Sequence, residues 1–418
     1  MSMLSFSRAS FAVLFVAALW GGSAWNIFAR FPEIMRGVSQ VEAPQSVADV
    51  RQFSQRLQHV LDRNVSGRTE ARNIYAWLQN AIGKSEMNNF SVIKAPNGRL
   101  HRGSLFPADL KQVQELGAAI ADFAETAEAK GAKVLYLNTP SSAIKGAEGL
   151  PTGLPQGLPA GMPYRDFNLD SDVLLYTLRE RGVPFIDARY ELSARQFPTN
   201  AVTPRTAWLL TGEAAFETFR LLVEGLERRF GHPLDPDGFY SNIANYEEQV
   251  YPAFFMGKLG KETGPAFSGL DDFTSVTPGF TTQYAFEAID MFSDYLKKQG
   301  PAEETLLNPN ALIYYKSVYD LYPQSYYTHT NTAWSKVTVP SNPTGPKLLF
   351  IHDYYTAQII SHLAPMFSET HTLAYHENFT LTAKKYLEDN DFDYVVIAFS
   401  PYQLTGANLE ALIGVSPQ

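Results

Sequence analysis

Apolar residues recur along this chain with two periods, and the changes of period mark out its elements. Val113, Leu116, Ile120, Phe123 and Ala127 repeat every three to four positions, which predicts an amphipathic helix over 109–130, closed by Gly131. Directly after it, "KVLYLNTP" is an apolar run without alternation, the composition of a strand buried on both faces. A helix over 170–181 ends before Gly182, and "PFIDA" supplies the next strand; a further helix spans 212–230. The rhythm returns late, where "KLLFIHD", "ETHTLAYH" and "YVVIAFS" are separated by the helical stretches "YTAQIISHLAPMF" and "TLTAKKYLEDN". Strands alternating with helices of this length predict a parallel α/β sheet.

The remaining segments are less regular. A short amphipathic helix is predicted over 72–83, and alternation on both sides of Pro96, Asn97 and Gly98 predicts a tight hairpin. The Pro/Gly-rich stretch 148–163 reads as loop, and about 231–344 reads as an irregular, aromatic-rich insertion. The early strands need the late ones as partners, so 90–418 reads as one α/β domain carrying that insertion. Residues 31–89 read as a juxtamembrane spacer with short helices.

The first residues set the compartment. Residues 11–29, "FAVLFVAALWGGSAWNIFA", are uncharged, lie between Arg8 and Arg30, and show no polar stripe. As a helix they rise about 28 Å, close to the thickness of the bilayer hydrocarbon. They read as an uncleaved membrane anchor with the rest of the chain extracytoplasmic; a secretory signal cleaved near Ala24 is the alternative.

Composition removes several classes of function. A net charge of −9 without a long basic run argues against nucleic acid as a partner. There is no cysteine, hence no disulfide and no thiolate site, and the 8 histidines are scattered. His362, His371 and His376 do not share one face, so no metal is expected. No cofactor motif stands out. The hydrophobic content of 45% is enough for a sizeable core.

Two segments carry candidate chemistry: "TPRTAWLLTGEAAFETFRLLVEGL" at 203–226, and "KLLFIHDYYTAQII" at 347–360. Together with "APNGRLHRG" upstream and "YYKSVYDLYPQSYY" between them, their order resembles the Asp-His-His-Trp family of bacterial envelope proteins. That family is allied to the alginate O-acetyltransferase group and has an SGNH-hydrolase-like fold. The resemblance covers roughly 90–402. It implies a central mostly parallel sheet flanked by helices, and a triad of aspartate, histidine and serine. An alcohol is barely ionised at neutral pH, so an imidazole must take its proton and a carboxylate must hold the imidazole's tautomer.

The match fails at those three positions. Arg205 stands at the family aspartate, Ala207 at the histidine and Tyr354 at the serine, while Trp208 keeps the tryptophan and Asp353 the acid before the nucleophile. The resemblance therefore implies a degenerate member: a pseudoenzyme of the exopolysaccharide O-acetylation type that binds glycan or a partner membrane-bound O-acyltransferase. Two alternatives stay open: an active O-acetyltransferase or acetylesterase with a non-standard site built on His352, Asp353 and Tyr354, and a structural envelope protein.

Several residues remain as ligand candidates. His352 and Asp353 end a strand, where α/β folds place ligands, though Asp353 also suits a helix cap. Arg205 suits an acidic polysaccharide or a surface ion pair. Trp208 and Tyr354 offer flat faces to a sugar. His329 and Asn331 lie among aromatic residues, a mixture that suits carbohydrate as well as core.

Overall fold

The computed structural model describes residues 68–103, 109–140, 166–313, 315–374, 381–404 and 412–414. The apolar run at 11–29, most of the spacer and the loop at 148–163 lie outside the described residues. Among the described residues no helix is long and apolar enough to cross a membrane. The chain divides into two compact units, 1–78 and 79–418. Helix α1 (Arg68–Ala81) begins in the first unit and ends in the second.

In the second unit a small antiparallel sheet comes first: β1 (Glu86–Met87), β2 (Val92–Lys94) and β3 (Leu100–Arg102). Gly98 turns between β2 and β3 at φ +81°, a conformation glycine adopts without strain. Helix α2 (Leu110–Ala129) starts where Asp109 accepts the Gln112 amide. It leads into β4 (Lys133–Asn138). Helix α3 (Phe167–Glu180), β5 (Phe185–Asp187), helix α4 (Ala188–Ala194) and helix α5 (Gly212–Phe230) follow.

The segment expected to be irregular is better ordered than its sequence suggests. It holds an antiparallel ribbon, β6 (Tyr246–Phe255) with β7 (Asp271–Pro278), which brackets helices α6 (Lys258–Thr263) and α7 (Pro265–Ser268). Then come β8 (Tyr284–Asp290), β9 (Tyr295–Gly300), helix α8 (Ala302–Thr305) and β10 (Thr332–Thr338). The last part holds β11 (Lys347–His352), helix α9 (Gln358–Leu363), β12 (Glu369–Ala374), helix α10 (Ala383–Asp389) and β13 (Tyr394–Phe399).

Eight strands make one sheet in the order β5-β4-β13-β11-β12-β10-β8-β9. The first five run parallel, and β10, β8 and β9 extend the sheet antiparallel. The fold is thus the expected mixed α/β sheet, with three strands supplied by the insertion. Strand β8 buries Tyr284, Phe286 and Ala288 at every second position, and β9 ends the sheet with Lys297 and Lys298 in its middle. Such charges keep an edge strand from pairing with another chain.

Alternate residues of β11 face two cores. Leu348 and Phe350 pack with Phe216, Phe219 and Leu222 of α5 and Ile360 of α9. Leu349 and Ile351 pack with Ile120 and Phe123 of α2 and Leu174 of α3. A third core lies under the insertion, where Phe286 and Val337 meet Phe255, Phe273 and Tyr327. The parallel register sets Asn138 beside Asp187, Phe399 beside Asn138, and His352 beside Ala398. The carboxyl ends of β4, β5, β13 and β11 therefore line up, the place where open α/β sheets hold ligands.

Candidate functional site

His352 closes β11 and is fully buried. Its Nδ1 lies 2.8 Å from the Asp353 carbonyl oxygen. A carbonyl only accepts, so Nδ1 carries the proton and Nε2 is left as an acceptor, buried and without a partner among the described residues. Burial pushes the imidazole down to about 4. It is neutral at pH 7.

Asp353 is engaged on both oxygens. Oδ1 accepts the Tyr355 amide at 3.0 Å and Oδ2 accepts the Ser400 amide at 2.6 Å. The carboxylate thus shapes the turn after β11 and ties it to the end of β13. Burial raises the group to about 6, against the pull of its hydrogen bonds. Helix α9 starts only at Gln358 because this turn takes up 353–356, so Asp353 is a turn staple rather than a first-turn cap.

Tyr354 fills the serine position. Its ring meets Tyr355 edge to face at 5.5 Å, and burial, with a further contribution from Tyr322, pushes the hydroxyl up to about 12. A phenol so held is un-ionised at neutral pH.

Trp208 stacks on Tyr402 at 5.0 Å and 16° and leans on Tyr355 at 6.1 Å. The Arg102 guanidinium stands 5.2 Å from the Trp208 ring and the Lys258 ammonium 5.7 Å. Arg102 is also held by Glu262 through two bonds of 2.8 Å, whereas Lys258 is exposed. One turn along α6, Lys261 sits 3.0 Å from the centre of the Tyr322 ring, and Tyr322 is 54% exposed. Aromatic rings and cations thus share one surface here, a pairing stabilised by the ring quadrupole.

The structure takes Arg205 away from this cluster. Its Nε and backbone amide both reach Asp271 Oδ1, at 3.4 and 3.0 Å, and its Nη2 donates to the Leu270 carbonyl at 2.7 Å. The guanidinium is already matched by a buried carboxylate, which also accepts the Thr206 amide at 2.9 Å. Arg99 pins the same stretch from beneath, donating to the carbonyls of Asn200, Thr203 and Pro204.

Ala207 is 3% exposed within the third core, and Gly257 lies against it so closely that a Cβ there would come within 2.3 Å of the Ala207 methyl. An imidazole has no space at this position. Ala207→His is expected to lower stability by about 1–3 kcal/mol through overpacking, measured by urea denaturation, rather than supply a base.

His329, in the 3-10 turn Thr328–Asn331, is 1% exposed and pairs through Nδ1 with Ser335 Oγ at 3.0 Å. Burial, and then the charge of nearby His352, push it down to about 3. Asn331 accepts the Ser325 hydroxyl through Oδ1 at 3.4 Å. His329 belongs to the packed interior, and Asn331 is half-buried.

Of the sequence candidates, the structure groups His352, Asp353 and Tyr354, brings His329 near His352, and joins Trp208 through Tyr355. It separates Arg205. Tyr355, Tyr402, Arg102 and Lys258 are not among the sequence candidates, although Arg102 lies in "APNGRLHRG" and Tyr355 in "KLLFIHDYYTAQII"; for Tyr402 the signal is "SPYQ", which follows a buried strand. Among the described residues no group of three or more metal-binding side chains converges.

No family model and no curated protein matches the sequence. Its fold is similar to that of a DHHW family protein from Eubacterium siraeum, at 15% identity and a TM-score of 0.56 over 78% of this chain and 98% of that one. Bacillus cereus PatB1, solved with a sulfonyl adduct, is similar at 15% identity and a TM-score of 0.56, over 78% and 97%. The O-acetyltransferase domain of Pseudomonas putida AlgJ is a more distant likeness, at 14% identity and a TM-score of 0.44 over 76% and 92%. At these identities the likeness speaks for the fold, and this chain has the fold of the Asp-His-His-Trp proteins that its motifs resemble.

Proposed function

We propose that this chain is a non-catalytic protein of the O-acetylation type, tethered by residues 11–29 and facing the extracytoplasmic side, where it binds acidic polysaccharide. A membrane-bound O-acyltransferase is the protein partner this reading implies. The observation that carries the reading is the state of the triad positions. Tyr354 is a half-buried, un-ionised phenol, Ala207 is packed against Gly257, and Arg205 is bound to Asp271. No imidazole stands at the family position to activate a nucleophile.

The binding surface follows from the cations beside the rings. Sugar rings stack on aromatic faces, while a carboxylate or phosphate pairs with ammonium groups. Tyr322 supplies an exposed ring and Lys258 an exposed charge, whereas burial brings the Lys261 ammonium down to about 7 and it already donates to the Leu321 carbonyl. The role first given to Arg205 passes to Lys258, because Arg205 already has its counter-ion.

PatB1 carries a sulfonyl adduct, so the same reagent class offers a direct comparison. Treatment with phenylmethylsulfonyl fluoride is expected to leave the intact mass of this protein unchanged. An adduct mapped to Tyr354 would overturn the non-catalytic reading. Calorimetry should show acidic oligosaccharides binding more tightly than neutral ones, with added salt weakening them. Lys258→Ala should remove that preference and Arg205→Ala should keep it. Equal affinity for acidic and neutral sugars would end the proposal for acidic glycan.

A further inference from the structure

A separate cavity of about 370 Å³ opens between the start of α5, the β6–β7 ribbon and the start of α9. Its volume is that of a small-ligand pocket. The close approach of α5 to β7 shapes one wall: a Cβ at Gly212 would lie 2.3 Å from the Thr274 carbonyl oxygen. None of the residues at the β11 end lines it; of the sequence candidates it takes only Arg205.

Gln358 lines this cavity and is 1% exposed. Its Nε2 donates to the Leu210 carbonyl at 3.1 Å, which fixes the amide's orientation, and Oε1 is buried with no partner among the described residues. A buried amide oxygen without a donor is costly, so a ligand that brings a donor is favoured there. The charged groups around it are Arg205, Glu213, Asp271 and Asp272. Arg205 and Asp271 cancel one another through their ion pair. That leaves Glu213 and Asp272 as net negative charge, and Glu213 also faces the charge of Glu248.

We infer that this cavity binds an amino sugar, a small polyol carrying a primary ammonium. The ammonium answers Glu213 and Asp272, and a hydroxyl or ammonium hydrogen answers Gln358 Oε1. The inference stands independently of acidic glycan at the aromatic surface: its charge preference is the opposite one, and its residues do not overlap with Lys258 or Tyr322.

Ligand-observed NMR with glucosamine and glucose at pH 7 on the full chain tests it. Glucosamine should bind at least about 10-fold more tightly than glucose. Glu213→Gln, a partly exposed site, should lower that ratio, and Glu213→Gln with Asp272→Asn should bring it near one. Gln358→Met should weaken both sugars; a misfolded Gln358→Met leaves Glu213→Gln to decide. Equal binding of the two sugars to the unmodified protein, or a ratio unchanged in Glu213→Gln, would overturn the inference. Lys258→Ala should leave glucosamine binding intact, so a failure here is distinct from a failure of the acidic-glycan reading.

Discussion

Lowering the pH from 6.5 to 5 is expected to remove roughly 7 kcal/mol of folding stability, a large share of what a domain of this kind has. His101, His329, His352, His362 and His371 are buried and pushed down to about 3, 3, 4, 3 and 4, by desolvation above all. Each stays neutral in the folded chain while the unfolded chain takes up a proton near its ordinary value of 6.5. Their contribution is complete above pH 6.5 and is lost as pH falls toward the folded values. Between pH 6.5 and 5 that is about 1.6 kcal/mol per histidine. Asp353 works the other way. Its carboxyl is raised to about 6, so acid favours the folded state between pH 6 and 3.8 and returns a little over 1 kcal/mol by pH 5. Five histidines outweigh one aspartate. Urea midpoints at pH 7, 6 and 5 should fall steeply, and His362→Phe, which replaces a ring set among Phe216, Phe219 and Tyr246, should flatten the slope by about a quarter. A midpoint independent of pH over this range would mean that these imidazoles are hydrated.

Asp353→Ala is the second large effect. The substitution leaves the Tyr355 and Ser400 amides without their acceptor in a buried turn. Each orphaned donor costs about 1–3 kcal/mol, so a total of about 2–6 kcal/mol is expected. Asp353→Asn keeps one oxygen and should lose less. Thermal unfolding of the two variants gives the ranking; a loss below 1 kcal/mol for the alanine would show that water replaces the carboxylate.

The parallel core was legible because its signal is strong: β11 and β13 are unbroken apolar runs, and α2 and α5 have helical spacing with Asp109, Thr211 and Gly231 at their ends. The three antiparallel strands were not. β8 and β10 bury only alternate residues, β9 is almost wholly polar, and short turns rich in aromatic residues lie between them. Their identity depends on partners far away in sequence. The same limit hid the fate of Arg205. Its counter-ion, Asp271, lies 66 residues later, and no local pattern points to it. The substitutions at Arg205, Ala207 and Tyr354 were readable at once, since a motif with its working atoms replaced needs no tertiary information. What the structure adds is how each replacement is packed or paired: Ala207 is buried in the third core, Tyr354 is half-buried against Tyr355, and the exposed Arg205 is paired with Asp271.

That packing is the central claim, and acyl-ester turnover tests it most directly. Purified protein incubated with 4-nitrophenyl acetate, and with an acetylated polysaccharide, is expected to release acetate no faster than buffer, and Tyr354→Phe should be indistinguishable from the unmodified chain. Turnover above buffer that disappears in Tyr354→Phe would contradict the account.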